Sequence, residues 1–279
     1  MKQEKRTAYM GLRVLGRWNI WNIKKLQYFS LLLIGVVSIF SLTTAAFAAH
    51  PLITDDTGTQ GKGKFQLEVN GEYGNDELGG GTTKTTQVGT TLSYGLTDPI
   101  DVVLTLPYQH ISIDDAGTVT RESGISDTSL ECKWRFYERE GLSLAIKPGL
   151  GFPTGHEEKG LGSGKMAYSL FLIATKEIKP WVFHANLGYI RNDNKVDEQE
   201  NLWHASFAAT VDVIKDLKLV ANIGIERNAD KDSSIDPAFV LGGLIYSLSE
   251  DFDIDFGIKR GITEAETDYA VLAGIAWRF

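Results

Sequence analysis

From Phe65 onward the chain alternates between apolar and polar residues with a period of two, and no other feature limits its possible folds so strongly. In Phe65-Gln66-Leu67-Glu68-Val69-Asn70-Gly71-Glu72-Tyr73 the odd positions are apolar or glycine and the even ones polar. Successive strand residues point to opposite faces, so this segment reads as a strand whose two faces meet different surroundings. The pattern returns eleven more times, predicting strands near 64–74, 84–96, 100–111, 125–137, 142–154, 166–176, 181–191, 201–213, 217–227, 237–247, 252–260 and 268–279. Each is about the length that crosses a bilayer on a slant. Hydrophobic residues make up 43% of the chain. Stacked transmembrane helices would need several apolar runs of roughly 20 residues, whereas alternating strands average out to this composition.

The connections between these strands fall into two alternating classes. Short ones lie at 97–99, 138–141, 177–180, 214–216 and 248–251; longer, polar ones lie at 75–83, 112–124, 155–165, 192–200, 228–236 and 261–267. An up-and-down barrel of a bacterial outer membrane sorts its loops in this way, short on one side and long on the other. Aromatic residues of apolar parity gather near strand ends: Tyr73, Tyr94, Tyr108, Trp134, Phe136, Trp181, Tyr189, Trp203, Phe252, Tyr269, Trp277 and Phe279. Rings with one polar edge prefer the headgroup level, which gives such barrels two girdles. The last strand, ending on Phe279, looks like the sorting signal read by barrel-assembly machinery. The fold expected is therefore all-β: a transmembrane, antiparallel, up-and-down barrel of about twelve strands over residues 64–279.

The beginning of the chain reads differently. Lys24 and Lys25 precede an apolar stretch from Ser30 to Leu42, and Ala46-Phe47-Ala48 follows as a small-residue cleavage site. Residues 1–48 are thus expected to be a cleaved signal peptide delivering the protein to the outer membrane; an uncleaved anchor over 29–49 is the alternative. Of the 28 basic and 36 acidic residues, seven basic and one acidic fall in 1–48, leaving 21 against 35 in the exported part. So acidic a remainder argues against nucleic acid as a partner. Residues 49–63 either fold into the lumen as a plug or form a flexible lead-in, and their glycine, threonine and aspartate content favours the lead-in.

Polar parity assigns lumen-lining residues. The acids are Glu68, Glu72, Asp101, Asp127, Glu131, Asp212, Glu226, Asp253, Asp255 and Asp268; the bases are Lys133, Arg135, Lys147, Lys218, Lys259 and Arg278, joined by His184 and His204. More acids than bases would favour cations in an open pore, while paired charges would hold a narrow barrel together. Val103, Phe171, Ile173, Val182, Leu202 and Val220 share this parity yet are apolar, and suit an apolar solute or a packed plug better than a wide aqueous pore.

Chemical motifs are sparse. Asp56-Thr57-Gly58 resembles half of an aspartic-protease site but has no second copy, and Gly160 to Lys165 fails the phosphate-loop pattern because Met166 replaces the required hydroxyl residue. Cys132 stands alone, and the histidines lack ligand spacing, so neither a metal nor a cofactor is expected. His204 and Ser206, with Asn222 one strand on, form the one enzymatic candidate, a lipase-like set. Parity turns His204 and Ser206 inward, whereas hydrolysis of membrane lipid needs the nucleophile on the outer wall.

Several segments together resemble the outer-membrane family named after the MetA pathway of phenol degradation. They are His50-Pro51-Leu52-Ile53-Thr54-Asp55-Asp56-Thr57-Gly58-Thr59, Gly61-Lys62-Gly63-Lys64-Phe65-Gln66-Leu67-Glu68, Gly124-Ile125-Ser126-Asp127-Thr128, and Pro148-Gly149-Leu150-Gly151-Phe152-Pro153-Thr154-Gly155. The resemblance implies a passive, porin-like channel or transporter for small solutes, hydrophobic or aromatic ones included, with membrane lipids as its surroundings. A structural or adhesive surface barrel and the lipase are the alternatives.

Overall fold

The computed structural model describes residues 50–78 and 81–279; the expected signal segment lies outside the described residues. Thirteen strands form one sheet: β1 (Phe65–Leu78), β2 (Gly81–Thr97), β3 (Ile100–Asp115), β4 (Thr118–Ile125), β5 (Thr128–Arg139), β6 (Leu142–Phe152), β7 (Ala167–Ile178), β8 (Trp181–Asn192), β9 (Asn201–Ile214), β10 (Leu217–Glu226), β11 (Ala238–Ser249), β12 (Phe252–Gly261) and β13 (Tyr269–Arg278). Every neighbouring pair is antiparallel, and β1 pairs with β13 in continuous register from Gln66↔Arg278 to Asn75↔Tyr269. Mutual backbone hydrogen bonds of 2.8 and 2.9 Å between Phe65 and Phe279 finish the seam. The wall formed by all of these strands except β4 is closed, the condition for strands to lie in hydrocarbon.

The barrel wall has the expected twelve strands, and β4 is the addition. Residues 112–124, expected as a loop, instead extend β3 and return as β4, which pairs with the upper half of β3 while β5 pairs with its lower half. Ile111, Ile113 and Val119 continue the alternation past the wall, and Ala116 (φ 50) with Gly117 (φ 88) supplies the two positive-φ residues a tight hairpin turn requires. Between β4 and β5 the chain steps at Ser126 and Asp127. There Ser126 N–H donates to the Pro107 carbonyl at 2.9 Å, and the Asp127 carboxylate accepts from Gly155 and Ser163 of the next loop.

The outside is apolar around the whole circumference. Leu92, Leu106, Leu130, Leu150, Leu172, Leu187, Phe207, Leu219, Ile223, Val240, Phe256 and Ile275 are all exposed. An apolar band this continuous has no place in water and suits a lipid surface. It is edged at the short turns by Trp134, Phe136, Trp181, Trp277 and Phe279, and towards the long loops by Tyr73, Tyr108, Tyr168, Tyr189, Trp203 and Tyr269. At the seam the girdle rings touch at a tilt, with centroids 4.5 Å apart for Phe65 and Tyr94 and 4.7 Å for Trp277 and Phe279.

Leu172 lies midway along β7 on this outer face. Leu172→Arg is expected to destabilise the inserted barrel by about 2–4 kcal/mol, the usual cost of a charge at mid-membrane depth, as measured by denaturant titration in lipid bilayers.

Candidate functional site

The described residues before β1, from His50 to Gln60, run along the inner side of the wall, where composition had favoured a flexible lead-in over a plug. Their path follows the wall almost strand by strand. The His50 ring nitrogen pairs with Asp255 on β12. Pro51 sits against Gly243 and Gly257 on β11 and β12, where a Cβ would come within 2.8 and 2.7 Å of the ring, so only glycine admits the plug so close to the wall. Leu52 and Ile53 pack into a cluster with Ala208, Val220, Phe239, Leu241, Ala270 and Leu272. Asn222 on β10 accepts from the amides of Ile53 and Thr54 at 2.8 and 3.0 Å and donates to the Thr54 hydroxyl at 2.7 Å. Asn186 on β8 accepts the Asp55 amide at 2.6 Å and donates to its carbonyl at 2.9 Å. Thr57 reaches Thr175 on β7 and Ser143 on β6, and the Gln60 amide reaches Asp101 on β3. Apolar burial and satisfied backbone groups together offset the entropy of ordering this segment.

Its charged centre is Asp55. One carboxylate oxygen accepts from Lys133 Nζ and the other from Lys147 Nζ, both at 2.8 Å, with all three side chains buried. Glu131 stands 3.6 Å from Lys147 and balances the second ammonium. An isolated charge in such a place would be prohibitively costly, so each member depends on the others. Lys259 forms a second cluster near the long loops, 2.9 Å from Glu72 and 3.3 Å from Glu266. Burial pushes the Glu266 carboxyl above its ordinary value, although Lys259 pulls the other way.

Among the sequence-derived lumen residues, Glu68, Asp101, Glu131, Lys133, Lys147, His184, His204 and Lys259 are buried inward, as is the side chain of Asp255. Glu72, Asp253 and Glu226 also face inward in ion pairs, Asp253 with Arg278 at 2.7 Å and Glu226 with His204 at 3.3 Å. Arg135 is half-buried near the short turns, 3.1 Å from Glu138. Asp212, Lys218 and Asp268 have lumen parity but sit at strand ends and are exposed, because the enclosed space is shorter than the strands. The enzymatic candidate is divided. His204 Nε2 and Ser206 Oγ are 2.9 Å apart and face inward, but Asn222 pairs with Ala208 and holds the plug. Among the described residues no cluster of three or more His, Cys, Asp or Glu side chains could hold a metal ion.

Sequence reasoning missed Asn186, Thr175 and Ser143 as plug anchors and saw Asn222 only as a lipase component. Their one signal is a small polar residue at lumen parity, which does not distinguish them from other polar wall residues.

On the short-turn side of the plug a cavity of about 530 Å³ remains, lined by Asp56, Gln60, Lys64, Glu68, Thr91, Ser93, Asp101, Lys133 and Arg278 among others. On the opposite side the long loops bind one another. Lys195 N–H donates to the Ser163 carbonyl and Gln199 N–H to the Ala229 carbonyl, at 2.8 and 2.7 Å. The hydrogen bond from Lys195 holds the Glu157 carboxyl below the usual carboxylate range. Leu161 of the same loop is fully buried against Ile111.

A family model described as Putative MetA-pathway of phenol degradation matches residues 48–279. No curated protein matches the chain. Among solved structures, an outer membrane channel from Pseudomonas putida F1 superimposes with a TM-score of 0.69 at 16% identity, covering 80% of this chain and 98% of its own. The NanC porin aligns with a TM-score of 0.50 at 10% identity over 76% of this chain and 98% of its own. For the KdgM porin the values are 0.50 and 8%, over 77% and 99%. Identities this low speak for the barrel architecture alone.

Asp55→Ala leaves Lys133 and Lys147 without their shared counter-charge and is expected to weaken plug seating by about 3–5 kcal/mol. In hydrogen exchange the amides of Ile53, Thr54 and Thr57 should then exchange much faster while the barrel strands stay protected.

Proposed function

Since the chain belongs to the family described as Putative MetA-pathway of phenol degradation, we propose that it is an outer-membrane channel for the passive passage of small solutes, occluded by its own N-terminal segment. The observation that carries this reading is the plug itself. A wall built only to sit in a membrane could fill its interior with side chains, whereas here a continuous segment is held across the lumen by polar contacts to seven strands beside a cavity of about 530 Å³. Contacts made through one carboxylate and a few amides can be released together, which suits a gate.

Residues 1–48 are proposed to be the cleaved signal peptide, on the strength of the basic, apolar and Ala-Phe-Ala succession. Insertion by barrel-assembly machinery into outer-membrane lipid is proposed likewise, with support from the closed wall and the apolar band. The inward residues Glu68, Glu72, Asp101, Glu131, Lys133, Lys147, His184, His204, Asp253, Asp255 and Lys259 are proposed as the lumen lining, with Arg135, Asp212 and Glu226 at or near its ends.

We read the His204–Ser206 pair as structural. Its hydrogen bond lies within the lumen, with the Phe171 ring 5.9 Å from the imidazole, and the apolar wall separates it from any lipid. Purified protein and its Ser206→Ala variant should release fatty acid from phospholipid vesicles at the same background rate.

Planar bilayers test the channel reading. Wild-type protein should show small or infrequent conductance steps, and Asp55→Asn, which removes the charge clasped by the two lysines, should make them several-fold larger or more frequent. Silence from both proteins, once inserted, would contradict it.

A further inference from the structure

The lumen is divided lengthwise. On β9, β10, β11 and β13 the inward residues Ala208, Val220, Phe239, Leu241 and Leu272 form a dry face that the plug covers with Leu52 and Ile53. On β1, β2, β3 and β5 they are mostly polar, Val103 being an exception, and arranged in cross-strand rows. One row runs Gln66, Ser93, Val103, Glu131; the next Glu68, Thr91, Thr105, Ser129; a third Glu72, Gln87, Gln109. The cavity beside the plug opens onto the first two rows. Beyond it, Asn70 Oδ1, Ser129 Oγ and Gln109 Nε2 are buried atoms with no hydrogen-bond partner among the described residues. Buried polar atoms are rarely left unsatisfied, so these three mark places for water or for a polar solute.

Charge on this face is also uneven: of the bases lining the cavity Lys64 is exposed, and the others are paired with acids. Lys133 is clasped to Asp55, Arg278 to Asp253, and Lys259 to Glu72 and Glu266. Glu68, also buried, is held by amide donors, Gln66 Nε2 at 2.5 Å and Asn70 Nδ2 at 3.2 Å. Asp101 accepts the Gln60 amide at 2.9 Å. Amides fix the position of a carboxylate without cancelling its charge, and fixed carboxylates lining a narrow polar passage favour cations.

We infer that solutes pass along the polar face of β1, β2, β3 and β5, and that Glu68 makes this route selective for small hydrophilic solutes, cations ahead of anions. The inference rests on the channel reading and concerns which half of the lumen conducts.

Reversal potentials across a potassium chloride gradient, in mildly alkaline buffer, test it. The wild type should prefer potassium to chloride, and Glu68→Gln should lower the permeability ratio at least ~3-fold. Ser206→Ala, on β9 across the lumen and outside the plug's anchors, should leave the ratio unchanged. Thr91→Trp, in the same row as Glu68, should cut conductance several-fold, which keeps the test decisive if Glu68→Gln fails to fold. Conducting channels whose ratio and conductance are untouched by Glu68→Gln and Thr91→Trp would overturn the polar route while leaving the channel intact. Anion preference in the wild type would do the same. Silence from every protein, Asp55→Asn included, would contradict the channel reading itself.

Discussion

Closure of the sheet is the constraint from which the other features follow. A strand in hydrocarbon must give every amide and carbonyl a partner, and only a wall that returns to its first strand does so without an edge. Here β13 completes β1, and Phe65 and Phe279 bond to each other across the seam. Once the wall is closed, the period-two alternation has only one arrangement compatible with lipid: leucine, isoleucine and aromatic residues outside, polar ones within. The interior is then a space lined by groups that need water, each other or an inserted segment.

The N-terminal segment meets part of that need. Asn186 and Asn222 pair with its backbone much as a neighbouring strand would, but through side chains projecting from the wall. Asp55 supplies the charge that lets Lys133 and Lys147 stay buried. Leu52 and Ile53 cover Val220 and Leu241, wall positions that would otherwise be apolar surface facing water. The same residues thus stabilise the barrel and occupy its lumen, and the proposed gate would couple stability to permeability through them.

Much of the wall was legible in the sequence because alternation is a local property. Phe65 to Tyr73 reveals its two faces without reference to any other strand, and the turn at Glu140-Gly141, with φ of 53° and 71°, falls where a short connection was expected. The β3–β4 hairpin was less legible because Asp114, Asp115, Ala116 and Gly117 resemble a loop tip, and only the pairing of Ile113 with Thr120 and Asp114 with Val119 shows the ladder continuing. The plug was not legible, because Asp55-Asp56-Thr57-Gly58 has the composition of a disordered terminus. Its order comes from partners 41 to 205 residues away in sequence, from Asp101 to Asp255, and no local pattern encodes them.

The account stands or falls on the plug occupying the lumen of the membrane-inserted protein. Thr57 Oγ1 and Ser143 Oγ are 2.5 Å apart, close enough for cysteines there to bridge. With both positions changed to cysteine and Cys132 to serine, mild oxidation of intact outer membranes should form the disulfide and suppress conductance, and reduction should restore it. Two cysteines that stay unbridged and both react freely with a water-soluble maleimide would show that the segment lies elsewhere.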